Sequence, residues 1–291
     1  MIATVGDRDR DISTDRDRDI STDRARRLSF GAVAARYDRY RPGYPAAIID
    51  AVIDYAGALP GERVLDVGAG TGQVSRLFAQ RGYAVTAVEP DGEMAAVASQ
   101  RAATAGLAVA VIPAEFERAQ LPAGAFALVV SGTAWHWVTP GVRVRLAARA
   151  LAPGGVLAAF WNRPRRHGNP LRPALDAAYA QVAADFTARP AGPMTPRGAP
   201  LESAEWMKLE LRDDPDFTDV SGLTVSWPER YSTGDYLGLL GTHSDHILLP
   251  DAARERLLAA VRAAIDASGG SFELIYETAL CLARRRVSGS P

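Results

Sequence analysis

Residues 63–72 read RVLDVGAGTG, and few folds accept that order. Val64, Leu65 and Val67 form a short apolar, β-favouring run that suits a strand buried on both faces. Gly68, Gly70 and Gly72 follow at alternate positions. Glycine allows a sharp turn and lets a ligand approach main-chain N–H groups with no Cβ in the way. The next residues, QVSRLFAQRG, carry Val74, Leu77 and Phe78 at helical spacing and Gly82 where a helix stops. The expected unit is strand, glycine loop and helix, with the helix N-terminus directed at an anionic group.

Two kinds of protein build this unit. Nicotinamide-binding enzymes use G-x-G-x-x-G, which here would need glycine at position 73. That position is Gln73, and Gly72 makes the pattern G-x-G-x-G. Asp66 stands two residues before the first glycine. A carboxylate there repels a pyrophosphate and can accept from an ammonium group. This D-x-G-x-G-x-G loop resembles motif I of class I S-adenosylmethionine-dependent methyltransferases, in particular the small-molecule, type 11-like group. Residues 84–88 (AVTAV) read as a second strand ending at Glu89-Pro90. A carboxylate at that place can accept from two ribose hydroxyls, in a dehydrogenase or a methyltransferase alike.

Composition narrows the field further. At 291 residues the chain can hold one large domain, or a domain with a small cap. Net charge is −1, so no global field favours nucleic acid or anionic lipid, and neither is expected as a partner. Basic clusters at Arg163/Arg165/Arg166 and at residues 284–286 are expected to be solvated. Cys281 is the single cysteine and sits in an apolar stretch, so a buried inert thiol is expected. The apolar runs fall short of the roughly 18–20 residues that cross a bilayer, and the charged N-terminus is not expected to act as a signal peptide. The expected location is cytoplasmic. Residues 1–28 contain DRDRDIST twice, at 7–14 and 15–22, and too little apolar surface to offset ordering entropy, so a disordered tail is expected.

Further strands are expected at 107–112, 126–131 and 156–161, alternating with helices at 45–58, 91–103 and 140–150. Asp91 suits an N-cap. Trp135, His136 and Trp137 lie just past the fourth strand, at the end where open parallel sheets bind ligands. Tryptophan faces attract cations. Two roles are open to His136: a general base, or a ring packed between tryptophans. Residues 170–186 look helical, 187–200 form a Pro- and Gly-rich loop, and 203–211 suit helix or strand. A strand at 219–227, helices at 233–241 and 251–267, and a closing strand at 272–283 complete the chain. His243 and His246 are three apart with Asp245 between them, but no further ligand is evident and no metal is expected. His243 is the other candidate base.

The resemblance extends over YDRYRPGYP at 37–45, matching Y-D-x-x-R-P-x-Y-P, and over LAPGG before the fifth strand. It implies a doubly wound, mainly parallel seven-stranded sheet (a Rossmann-like methyltransferase fold) with its last strand antiparallel and a helical cap. The domains it suggests are the tail 1–28, a cofactor core with an N-terminal lid at 29–165, a substrate-recognition insert at 166–218, and closing strands and cap at 219–291. It implies S-adenosyl-L-methionine held by Tyr37, Arg41, Asp66, Gly68, Ala69, Gly70, Gly72, Glu89, Pro90, Met94, Ala114, Glu115, Ser131 and Trp135. Arg41 either pairs with a carboxylate or fixes the lid, and Glu115 takes the adenine edge. The family usually has Asp where this chain has Ala127. A small-molecule acceptor is expected, a carboxylate or a natural-product oxygen, nitrogen or carbon. The rivals are a nicotinamide oxidoreductase and a methyltransferase fold put to another reaction or to binding only.

Overall fold

The strand of the glycine motif lies in the middle of the molecule. In the computed structural model, which describes residues 34–165, 168–182 and 205–287, β1 (Arg63–Val67) is flanked by two parallel strands. The repeated tail and the 187–200 loop lie outside the described residues. β2 (Ala84–Val88) runs on one side and β4 (Phe126–Gly132) on the other. β3 (Val109–Ile112) extends the β2 side, and β5 (Leu151–Pro164) the β4 side. β7 (Ser271–Arg285) then inserts between β5 and β6 (Phe217–Ser232), antiparallel to both. The sheet order is β3-β2-β1-β4-β5-β7-β6. Chain order reverses between β1 and β4, which opens a crevice at the carboxyl ends of those strands.

Both faces of the sheet are covered, as a parallel sheet requires. On one face α2 (Ala46–Ala56) and α3 (Gln73–Ala79) bring Ile48, Ile49, Val52 and Phe78 onto Val85, Leu128 and Phe160. On the other, α5 (Arg143–Ala150) and α7 (Glu205–Arg212) bring Val144, Ala147, Met207 and Leu211 onto Leu65, Val129 and Leu157. The 203–211 stretch is therefore helical, with Met207 and Leu211 four apart on its buried side. Two further helices, α1 (Ala34–Tyr40) and α4 (Gly92–Thr104), stand nearer the crevice. Asp91 caps α4, accepting from the amides of Glu93 and Met94.

β6 runs five residues beyond the expected 219–227, and its pairing continues to Ser232↔Ser271. Glu229 and Arg230 disguise the strand, because a strand with one wet face alternates polar and apolar residues. Pro228 is tolerated because β6 is the sheet's last strand. The long ends of β6 and β7 carry a cap of α6 (Arg172–Ala180), α8 (Thr233–Leu240), α9 (Ser244–Ile247) and α10 (Asp251–Ala267). Its core joins Leu175, Tyr179, Leu239, Leu257, Val261 and Ile265 to Leu274 and Tyr276 of β7. Within 166–218, α6 packs into the cap and α7 onto the sheet.

Arg284 and Arg285 depart from the solvated expectation, while Arg286 is exposed as expected. Arg284 donates to the carbonyls of Gly154 (2.8 Å) and Tyr55 (2.5 Å), and Arg285 to that of Leu151. Carbonyls in the last turn of α2 have no helical partner, and β7 delivers an arginine there as it does to the irregular first residues of β5. Cys281 is fully buried and its thiol is pushed up to about 12, an inert state. Among the described residues no helix is long and apolar enough to cross a membrane.

Candidate functional site

A crevice opens beside the switch point. Its walls include seven residues of the sequence-derived set: Tyr37, Gly68, Gly70, Glu89, Pro90, Met94 and Glu115. The glycine loop forms the floor. Gly68 has φ +68°, and a Cβ there would stand 2.4 Å from the Cβ of Ala134. Gly72 caps α3 at φ +78°, with Ala98 Cβ 3.1 Å from where its own Cβ would be. Side chains at either place would collide with the wall that holds the loop down.

The loop's amides are turned inward. Those of Gly68 and Ala69 donate to the Val88 carbonyl, and that of Gly72 to Ala69. The Gly70 amide donates to Glu89 Oε2 at 2.7 Å. The Gly70 amide thus already serves the protein's own Glu89. Glu89 Oε1 also accepts from the Asp91 amide at 2.9 Å, so this carboxylate ties the glycine loop to the start of α4. Asp66 lies under the loop, fully buried and off the crevice wall. Its Oδ2 accepts from Ser75 Oγ at 2.6 Å, while Oδ1 has no protein partner among the described residues. Burial pushes its carboxyl up to about 7, with the Glu89 charge adding to the rise.

Three carboxylates, Glu89, Glu115 and Glu117, line the crevice, with Glu115 paired to Arg118 at 3.2 Å, and no lysine or arginine is among the lining residues. Aromatic rings of Tyr37, Phe116 and Trp137 complete it. A site with this balance attracts a cation and disfavours a pyrophosphate.

Other residues of the set lie elsewhere. Ala114 donates its amide to Ile112 and is not on the wall. Ser131 is buried and donates to the Val67 carbonyl, stitching β4 to β1. The short 3₁₀ turn Trp135–Trp137 buries Trp135 against Phe116 and turns Trp137 into the crevice. His136 points away, its Nδ1 accepting from Trp161 Nε1 at 3.3 Å. Burial, then the Arg143 charge, lowers its pKa to about 4, so the ring is neutral. Arg41 stacks over Tyr37 and gives its Nε and Nη2 to the hydroxyl and carbonyl of Thr242, both at 2.9 Å. It fastens α1 to the cap. His243 follows Thr242, outside the crevice lining, and burial with the Arg41 charge pushes its pKa well down.

Sequence reasoning singled out the WHW triplet but missed Thr133 and Glu117 on the wall. Thr133 has φ +57°, a strained value for a β-branched residue, and its Oγ1 pairs with Tyr44 Oη at 2.8 Å. Gly132 makes room for that ring: a Cβ there would stand 2.9 Å from Tyr44 Oη. The signal for Trp137 was present in the WHW triplet, but only the 3₁₀ turn decides which ring faces in.

Residues 65–159 match a family model described as a methyltransferase domain. A ubiquinone biosynthesis O-methyltransferase of Xanthomonas campestris pv. campestris is 32% identical over 218 residues, 69% of this chain and 84% of that protein. The chain belongs to the methyltransferase family. An uncharacterized methyltransferase of Mycobacterium tuberculosis is 38% identical over 139 residues, 46% of this chain. The chain spans about half of that relative's length, 52%. A solved structure assigned as a type II methyltransferase from Anaeromyxobacter dehalogenans shares the fold, with a TM-score of 0.60 at 23% identity over 85% of this chain and 98% of that one. Every crevice residue but Tyr37 falls inside the methyltransferase-domain match. The cap lies beyond it.

Proposed function

We propose that this chain transfers a methyl group from S-adenosylmethionine to a small-molecule acceptor. The observation that carries the reading is the crevice's charge: three carboxylates and aromatic rings, with no basic side chain, at the switch point of a methyltransferase-family sheet. The residues present fit such a nucleoside. Among the described residues Asp66 Oδ1 is a buried acceptor without a hydrogen-bond partner, beneath a loop in which Gly68 leaves no room for a side chain. Glu89 would take the ribose hydroxyls; a carboxylate accepts about four bonds, so this is compatible with the amides it already holds. Glu115 would take the adenine edge, Met94 its face, and Asp66 the ammonium end. Trp137 and Tyr37 offer ring faces to the sulfonium.

The bound nucleoside supplies an electrophilic methyl on a good leaving group. The chain's share is orientation and exclusion of water, worth up to about 7–11 kcal/mol in favourable cases. Neither imidazole lines the crevice, and the reading assigns no general base. The O-methyltransferase relative favours an oxygen acceptor, arriving from the cap side. A thermal-shift panel tests the reading. S-adenosylhomocysteine should raise the melting temperature by mass action, and NADH should not. The reverse pattern would refute it. Binding without methyl incorporation across oxygen, nitrogen and carbon acceptors would leave the site and remove the activity.

A further inference from the structure

A second group of chemically active side chains lies in the cap, outside the crevice. His243, Asp245 and His246 each offer one ligand atom, and the three atoms lie within 4.8 Å of one another. The backbone holds them there: the His246 amide donates to the His243 carbonyl at 3.0 Å, closing a turn that puts both imidazoles on one side. Their rings meet edge to face at 5.4 Å. His246 is nearly fully buried, with Nδ1 2.8 Å from Asp245 Oδ1 and Nε2 2.5 Å from Tyr179 Oη on α6. Asp245 is about half exposed, which leaves an entry path from solvent.

We propose that His243, Asp245 and His246 form a binding site for a divalent transition-metal ion of the zinc type. Two imidazoles and one carboxylate suit that class, whereas magnesium and calcium prefer oxygen donors alone. The two nitrogens of His246 already have the division of labour that ligating histidines show. One faces the candidate ligand group, and the other is fixed by a buried partner, Tyr179. Binding selects the neutral tautomer with Nδ1 bare, in which the single ring proton sits on Nε2 and donates to the tyrosine oxygen. Three protein ligands leave one position open. The ion and one carboxylate carry a net +1, which an anionic fourth ligand, a hydroxide or the carboxylate of a small molecule, would neutralise. The site needs no methyl donor and stands apart from the reading of the crevice.

The test uses the full chain, freed of metal with a chelator and titrated with Co²⁺ while visible d–d bands are recorded. One Co²⁺ per chain should bind, with bands that Zn²⁺ displaces. His243→Ala and Asp245→Asn should abolish the bands or move them to far higher Co²⁺. Tyr179→Phe should weaken binding by about 10- to 100-fold. Melting temperatures of the metal-free variants matching the parent's show that the fold is kept; Asp245→Asn, at an exposed position, secures this arm. Absence of bands in the parent overturns the proposal. So do bands that survive unchanged in both variants, which would place the metal elsewhere and leave the cluster a hydrogen-bonded Asp–His–Tyr chain.

Discussion

Glu89 and Asp66 are both buried acids under one loop, yet they act differently. Glu89 holds two amides and faces the crevice, so its charge is used twice. Glu89→Gln keeps the shape and removes the charge. It should weaken S-adenosylhomocysteine by about 1–3 kcal/mol, the worth of a charge-assisted bond, measured by calorimetric titration. Unchanged affinity would take Glu89 out of the site. Asp66 has a folded pKa of about 7, above the ordinary carboxylate value of about 3.9. Between those values the folded state binds more protons than the unfolded one. The contribution of Asp66 to stability is therefore full below the lower value and is lost as pH rises through the upper. Urea unfolding of the ligand-free protein should show that decline, and Asp66→Asn should flatten it. Ligand binding should run the other way: an ammonium group favours the ionised acid, so affinity for S-adenosylhomocysteine should rise toward pH 7. A flat profile would separate Asp66 from the ligand.

The glycine loop and α1 are the two elements that set the crevice's shape. Gly68→Ala forces a Cβ to within 2.4 Å of Ala134 at a positive φ. It should cost about 1–3 kcal/mol of stability and weaken ligand binding with it, read by urea midpoint and titration. α1 links two parts of the molecule. Asp38, almost buried, pairs with Arg76 of α3 (3.1 Å) and Arg101 of α4 (2.8 Å). Tyr40 lies where a side chain at Gly238 would be, and Arg41 bonds Thr242. Asp38→Ala should therefore speed amide exchange over 34–41 and loosen ligand binding through Tyr37. Protection unchanged from the parent would show that α1 docks by apolar contact alone. Such links were illegible in the sequence. Arg41 and Thr242 are 201 residues apart and Tyr44 and Thr133 are 89 apart, and nothing local announces either pair. β1, the glycines and Glu89 were legible because their signals are local: a buried apolar run, a turn that only glycine makes, an acid at a strand end. Thr133 on the wall and β6 beyond 227 were not, since a strained turn and an edge strand's polar face depend on neighbours.

Across the whole molecule, two apolar clusters clamp the sheet and a third fills the cap. Leu257→Ala, in that third cluster, should cost about 2–5 kcal/mol of stability and leave crevice affinity intact. Loss of both would show the cap to be part of the crevice's support. The walls formed by β1, β2 and β4 belong to the methyltransferase-domain match, while the cap, the candidate metal cluster and α1 lie outside it. The crevice walls and the cap are thus built from different parts of the chain. The most direct trial is a crystal structure of the protein grown with S-adenosylhomocysteine. The account predicts the nucleoside over Gly68 and Gly70, its ribose hydroxyls on Glu89 and its amino group directed toward Asp66. Density in another part of the molecule, or the same crevice taken by a dinucleotide, would contradict it.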